Sequence, residues 1–533
     1  MAISRTPSKA PVGHPRGLST LFFTEMWERF SFYGMRAIFA PFMGLALAEG
    51  GLGFDKSASG SILAIYLASV YLMSLPGGWL ADKFLGQRRA VFIGGLIIML
   101  GHILLAIPSI GTFYGGLLSL VLGTGLLKPN VSTMVGKLYT KVDPRRDGGF
   151  SIYYMGINVG AFASPIVCGW LAQSDVFKNF LARHGVSPHF SWHIAFGAAA
   201  VGMAFGLTQY YLGRGALEGI GERPSGQSPE ERAGNRKILM RIVAFLVAAP
   251  LVLIAVDKVG YSLTKERISN IFGVLLLGLF IATFVGLYRK ASSERDRKGV
   301  LAMLTLAIGC VAFFALFEQA AGTMNAFANE RTATVAFGRA FPATWFQSVN
   351  SVFIILLSPI FAWFFVWVIA RQLKFNDIRK FGVSLVFQGL AFAIMLPAAG
   401  KTGVSPMYLV VFYFLSTIAE LFLSPVGLSS MSKLAPASAG GLVMGVWFLS
   451  TANGDYIAGR MHGLTQSFSE GTLFTAVIIG VGIVAVGLFV VGQYFTHRVP
   501  LESLMVEEGA AAAAAAAEIA PIAPSQRQQV TGY

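Results

Sequence analysis

Apolar residues run in blocks of about twenty, and polar residues collect in the short stretches between them. The blocks lie near 18–47, 57–81, 90–108, 113–136, 149–172, 191–212, 239–256, 270–288, 300–323, 343–370, 382–399, 406–430, 441–464 and 472–495, fourteen in all. About twenty apolar residues in a helix cross the hydrocarbon core of a bilayer. The period-two alternation over ten-residue segments that marks a membrane β-barrel is missing. The pattern predicts an all-α integral membrane protein with fourteen spans. The many glycines, 61 in all, suit close helix packing in lipid.

Composition rules out the alternative of several soluble domains. Charged residues make up 13% of the 533 and hydrophobic ones 55%, whereas a soluble domain carries about 25% charge. Lipid must therefore solvate much of the chain. Cys168 and Cys310 sit inside apolar runs, so no disulfide framework is expected. Residues 1–17 are polar and basic. The first apolar block carries charges in its middle and lacks a small-residue cleavage site, so it reads as a retained helix and not a signal peptide.

The formal net charge of +15 resolves into topology. With the N-terminus placed in the cytoplasm, cytoplasmic segments hold 26 Lys and Arg against 9 in the opposite loops. That bias predicts both termini inside. The clusters are brief and lack interleaved aromatics, which argues against nucleic acid and for anionic lipid surfaces as their counterpart.

The order of segments suggests two six-helix bundles of the major-facilitator type with two inserted helices. The expected divisions are a cytoplasmic N-terminus (1–17), an N-terminal bundle (18–213), linkers with two inserted membrane helices (214–298), a C-terminal bundle (299–498) and a low-complexity cytoplasmic tail (499–533). Lys128-Pro129 and Ser424-Pro425 echo one another in corresponding helices, as internal repeats of such transporters do.

The informative residues are charges where lipid should exclude them. At 100° per residue, Glu25, Arg29, Phe32 and Arg36 fall within about 60° of one another, and Glu28 flanks that face. An isolated charge at the bilayer centre costs about 2.5–3.5 kcal/mol even on the permissive insertion scale, so these groups must pair and face a bundle interior. Lys128, Glu318 and Glu420 lie inside other blocks, with Asp455 and Arg460 nearer an end. Positive groups (Arg36, Lys128) on one half and carboxylates (Glu318, Glu420) on the other suit a solute with a negative and a positive end, such as an amino acid or peptide. Glu25 and Glu28 beside Arg29 form a titratable cluster in which one proton rearranges the pairing. Tyr33, Tyr71, Tyr153, Tyr154, Asn158, Asn350 and Trp447 add aromatic and amide groups along these helices. No nucleophile elbow, phosphate loop or zinc-protease motif is present. His189 and His193 are four apart but have no third ligand nearby. The expectation is neither an enzyme nor a metal or cofactor protein.

Several motifs carry a family resemblance. They include Glu25-Met-Trp-Glu28-Arg29-Phe30-Ser-Phe32-Tyr33-Gly34 and Gly77-Gly78-Trp79-Leu80-Ala81-Asp82-Lys83 with Arg88-Arg89. Gly123-Thr-Gly125-Leu-Leu-Lys128-Pro129-Asn130 and Tyr153-Tyr154-Met-Gly-Ile157-Asn158-Val-Gly160 follow. The second half supplies Phe317-Glu318-Gln319, Gln347-Ser-Val-Asn350 and Glu420-Leu-Phe-Leu-Ser424-Pro425-Val-Gly427. Together they resemble the proton-dependent oligopeptide transporter family of the major facilitator superfamily, in its bacterial fourteen-helix form.

The resemblance implies symport of di- and tripeptides with protons, by alternating access, in the bacterial inner membrane. The proton gradient would be the energy source, with no cofactor, and the unit a functional monomer. It further implies that Glu25, Glu28, Arg29, Lys128 and Glu318 couple to protons. Arg36 and Lys128 would hold the peptide carboxylate, Glu420 its amine, and Asn158 and Asn350 its backbone. Tyr33, Tyr71, Ser424 and Trp447 would complete the substrate site, and Glu318 would pair with Arg36 as an outer gate. Phe32 and Phe314 stand where the family often has tyrosine and tryptophan, and no histidine lies in the second block, so coupling should rest on carboxylates. The alternative is a carrier of another small solute, an anion or an amphiphilic drug. A peptide sensor would need an output domain, and the alanine-rich tail is a poor one.

Overall fold

The computed structural model describes residues 13–497 except 141, 142, 144, 225, 226, 259–261, 337, 372–375 and 435–441. The alanine-rich tail and most of the N-terminal segment lie outside the described residues.

Fourteen helices of 19 to 30 residues dominate the described chain. The first half holds α1 (Gly17–Gly44), α2 (Lys56–Leu80), α3 (Gln87–Leu105), α4 (Ile110–Lys137), α5 (Arg146–Gln173) and α7 (Ser191–Gly213), with the short α6 (Asp175–Arg183) between the last two. Then come α8 (Pro229–Lys258) and α9 (Lys265–Lys290). The second half holds α10 (Glu294–Phe317), the short α11 (Thr323–Glu330), α12 (Gln347–Ala370), α13 (Asp377–Met395), α14 (Met407–Leu434), α15 (Leu442–Leu464) and α16 (Glu470–His497). Eleven of the helical regions are long and apolar enough to cross a membrane by length and composition; α1, with its four buried charges, falls outside that set. A two-residue antiparallel hairpin, β1 (Val335–Ala336) with β2 (Arg339–Ala340), decorates the connection after α11.

Side chains that accept the first free backbone N–H groups start several helices: Asp55 for α2, Thr264 for α9, Ser293 for α10 and Asn376 for α13. The structure departs from the apolar pattern in two places. The first is at residue 229, where α8 begins inside the stretch that reads as polar linker. The second is Glu318, where the block 300–323 is not one helix. α10 ends at Phe317, Glu318–Ala320 forms a 3-10 turn, and α11 restarts at Thr323. The break is held to the other half: Asn325 of α11 donates to the carbonyl of Ala37 of α1 at 2.8 Å.

Two apolar cores result. One gathers side chains of α1 to α5 and α7, the other those of α9 to α11 and α13 to α16. They interlock at the seam between the halves: Ala68 of α2 belongs to the second core and Ala321 to the first. α2 packs along α15 and α5 along α12. Small residues permit the first crossing. A Cβ on Gly60 would meet the backbone of Gly459 and Gly463, and one on Gly459 would meet the backbone of Ala64. Asp455 lies in the middle of α15, 0% exposed. That corrects the expectation of a place near a membrane boundary.

Widening that contact should cost stability. Gly459→Val forces α2 from α15 and should destabilise by about 1–3 kcal/mol, lowering the unfolding temperature in detergent. Gly480→Val on α16, where nothing lies within 4 Å of an added Cβ, should leave it unchanged. Equal effects would remove the seam from the explanation.

Candidate functional site

The charges of α1 do not face outward. Glu25, Glu28 and Arg29 are 2%, 1% and 3% exposed. Arg29 Nε lies 3.2 Å from Glu25 Oε1 and 2.5 Å from Glu28 Oε2. One guanidinium thus serves two carboxylates. Glu25 Oε2 and Arg29 Nη2 have no hydrogen-bond partner among the described residues, so the cluster has unused capacity for a proton or another polar group. The guanidinium also lies 5.0 Å from the ring centre of Phe32. A ring at this position thus serves Arg29 without a hydroxyl.

Two turns further along α1, Arg36 Nη2 meets Glu318 Oε2 at 2.7 Å. This ion pair crosses the seam. The break in the helix after Phe317 sets Glu318 in the turn that faces α1. Beside the pair opens a cavity of about 120 Å³ between the halves. Tyr33 and Arg36 line it from α1, Tyr154 and Asn158 from α5, Asn350 from α12 and Glu420 from α14. Glu420 is oriented before any ligand arrives: Asn350 Nδ2 donates to its Oε2 at 3.1 Å and to Thr417 Oγ1 at 2.9 Å. Gln347 Nε2 and Ser416 Oγ also border the cavity and lack partners among the described residues. A polar ligand would satisfy them.

The seam is closed beyond the cavity, on the face opposite the N-terminus. Lys56 pairs with Glu330 at 2.8 Å and Gln173 donates to Asn329 at 2.7 Å. Trp345 Nε1 donates to the carbonyl of Ile166 at 3.1 Å, and Ser348 Oγ to that of Phe162 at 2.7 Å.

Of the residues expected to form the site, Tyr33, Arg36, Asn158, Asn350 and Glu420 meet at this cavity, with Glu318 adjoining through Arg36. Lys128, Tyr71, Ser424 and Trp447 are not among its lining residues. Lys128 Nζ sits 3.7 Å over the ring of Tyr71. No carboxylate comes within ion-pair distance of it among the described residues, so it is not a direct partner of Glu25 or Glu28 here. Trp447 packs edge-on against Phe314, ring centres 6.3 Å apart. Ser351, Tyr413 and Ser416 join the lining without a sequence signal. Hydroxyls inside an apolar block are common, and only helix rotation decides where they point.

Ions from both halves around one cavity between two helical bundles, with the seam closed on the face opposite the N-terminus, make a membrane solute carrier. The family model of the POT family matches residues 88–479. The peptide transporter YePEPT of Yersinia enterocolitica subsp. palearctica is 37% identical, over 85% of this chain and 88% of its own. The di-/tripeptide transporter of Lactococcus lactis subsp. cremoris is 35% identical, over 90% and 95%. A crystal structure of a mutant of the peptide transporter POT in complex with alafosfalin superposes with a TM-score of 0.81 at 37% identity, covering 94% of this chain and 98% of that one. The chain belongs to the POT family. It is a multi-pass secondary transporter of the major-facilitator type and not an enzyme.

The seam pair is open to a direct test. Arg36→Ala strands a buried carboxylate and Glu318→Ala a buried guanidinium, each at a cost of about 3–5 kcal/mol. Each should lower the unfolding temperature, and the double variant should lose less than the two losses combined. Strict additivity would mean the ion pair does not form in the membrane protein.

Proposed function

We propose that this chain is a proton-coupled symporter that imports di- and tripeptides by alternating access across the bacterial inner membrane. It works as a monomer with fourteen spans and both termini in the cytoplasm. In this reading residues 18–213 and 299–498 are the two moving bundles and 214–298 carries linkers and the inserted helices. The observation that carries the reading is the pairing of opposite charges around one cavity. Arg36 reaches it from the first bundle and Glu420 from the second, so a cation and a carboxylate border the same space, as a zwitterion requires. The names of the family's characterised relatives, a peptide transporter and a di-/tripeptide transporter, support the substrate class.

The chain's own residues then supply the steps. The peptide amine meets Glu420, already oriented by Asn350, which Thr417 holds in turn. The peptide carboxylate competes with Glu318 for Arg36. Protonation of Glu318 weakens its hold on Arg36 and favours the exchange. Asn158 and Asn350 serve the peptide backbone. Arg29, shared between Glu25 and Glu28, answers a second titration: a proton on one carboxylate shifts the guanidinium to the other and changes the field at Lys128.

Three measurements bear on this. Proteoliposomes with an acidic exterior should accumulate labelled dialanine, and no uptake of any small peptide would end the reading. Glu25→Gln or Glu28→Gln should reduce gradient-driven uptake at least tenfold while counterflow exchange survives; equal loss of both modes would assign these residues to folding or binding. Glu420→Gln should weaken free dipeptides more than amine-blocked ones, and identical losses would remove it as the amine partner.

A further inference from the structure

Asp455 is a buried acid that the steps above leave without a task. It is 0% exposed, and neither carboxylate oxygen has a hydrogen-bond partner among the described residues. Its backbone is pinned on both sides. Gly454 lies against Val311 and Phe314 of α10, Gly459 against Ala64 of α2, and Tyr456 Oη donates to the carbonyl of Ser269 on α9 at 2.9 Å. The carboxyl therefore cannot swing to water by a shift of the helix. The titratable and charged groups that face it are Tyr71 of α2, Lys128 of α4, Arg36 of α1, Cys310 of α10 and Glu318 from the turn beyond α10. An ionised carboxylate in such a place needs a counter-ion. Arg36 is already committed to Glu318, and Arg29 to Glu25 and Glu28. Lys128 is the facing cation with no carboxylate within 4 Å among the described residues. It rests on Tyr71 of α2, the helix that packs along α15.

We propose that Asp455 is a coupling residue of the second bundle that holds a proton in the state seen here and gives it up to pair with Lys128 across the seam as the bundles reorient. Lys128 then has rival partners in the two halves, Glu25 and Glu28 in its own bundle and Asp455 in the other. The exchange balances: the carboxylic acid releases one proton to water that enters between the bundles as they part, and the remaining carboxylate gains the Lys128 ammonium as its counter-ion. Asp455 does not line the cavity, so its loss should spare peptide binding. The inference rests on the proton-coupled reading.

The test uses the full chain in proteoliposomes. Asp455→Asn keeps the shape of the protonated acid, so dialanine binding and counterflow should stay within about twofold of the parent. Gradient-driven uptake should fall at least tenfold and lose its dependence on external pH, and Asp455→Glu should restore part of both. In the Lys128→Gln background, Asp455→Asn should cost nothing further. Unchanged uptake with an unchanged pH profile would overturn the proposal. If Asp455→Asn does not fold, infrared difference spectra of the unsubstituted protein with labelled aspartate decide instead. A protonated aspartic carbonyl band near neutral pH supports the proposal, and its absence at every pH overturns it. This readout needs no solute, so it judges Asp455 even if dialanine uptake, and with it the peptide reading, fails.

Discussion

The structure depends on one electrostatic constraint: a charge taken out of water must find its opposite. Arg36 and Glu318 satisfy it for each other, but they belong to different halves. The contact therefore reports the relative position of the two bundles and does more than glue two helices. While the face opposite the N-terminus is shut, both ions are compensated. If the halves part there, both are stranded unless a proton neutralises the carboxylate or a ligand replaces it. The same reasoning explains why Glu420 comes with its own amide partner, Asn350, and why Arg29 serves two acids. Buried ion pairs contribute little net stability compared with apolar packing. Their presence in the middle of an apolar chain makes sense when the pairing has to change.

Packing limits how that change can occur. The two cores exchange single small residues, Ala68 and Ala321, at the seam. The crossing of α2 and α15 brings backbones together through Gly60 and Gly459. Surfaces of this kind slide or rock with little interdigitation to undo, whereas large side chains would lock them. The helix break at Glu318 belongs to the same design. A 3-10 turn frees a short segment, and its contact with the carbonyl of Ala37 ties that segment to the opposite half.

Much of this was legible beforehand, and for a physical reason. Lipid penalises charge so strongly that Glu25, Glu28, Arg29, Arg36, Lys128, Glu318 and Glu420 stand out in any hydropathy pattern. The fourteen apolar blocks each correspond to a long helix for the same reason. Details that depend on rotation and contact were not legible. The break after Phe317 lies inside a uniformly apolar block and is stabilised by a residue nearly three hundred positions away. Lys128 rests on an aromatic ring because of where α2 and α4 place Tyr71 and its ammonium. The depth of Asp455 follows from glycine contacts on either side of it, which no local pattern announces.

The position of α9 has a consequence for the surrounding lipid. This helix packs on α2, α10 and α15 together, buries a stripe of Leu276, Phe280, Phe284 and Leu287, and turns Val274, Leu275 and Ile281 outward. It thus roofs the α2–α15 side of the seam. On the other side, Val159 and Phe162 of α5 and Ile355 and Leu356 of α12 are themselves exposed. Among the described residues the α5–α12 flank therefore presents the joint to acyl chains directly, while α9 stands between lipid and the α2–α15 flank, so membrane thickness and lateral pressure would load this carrier unevenly.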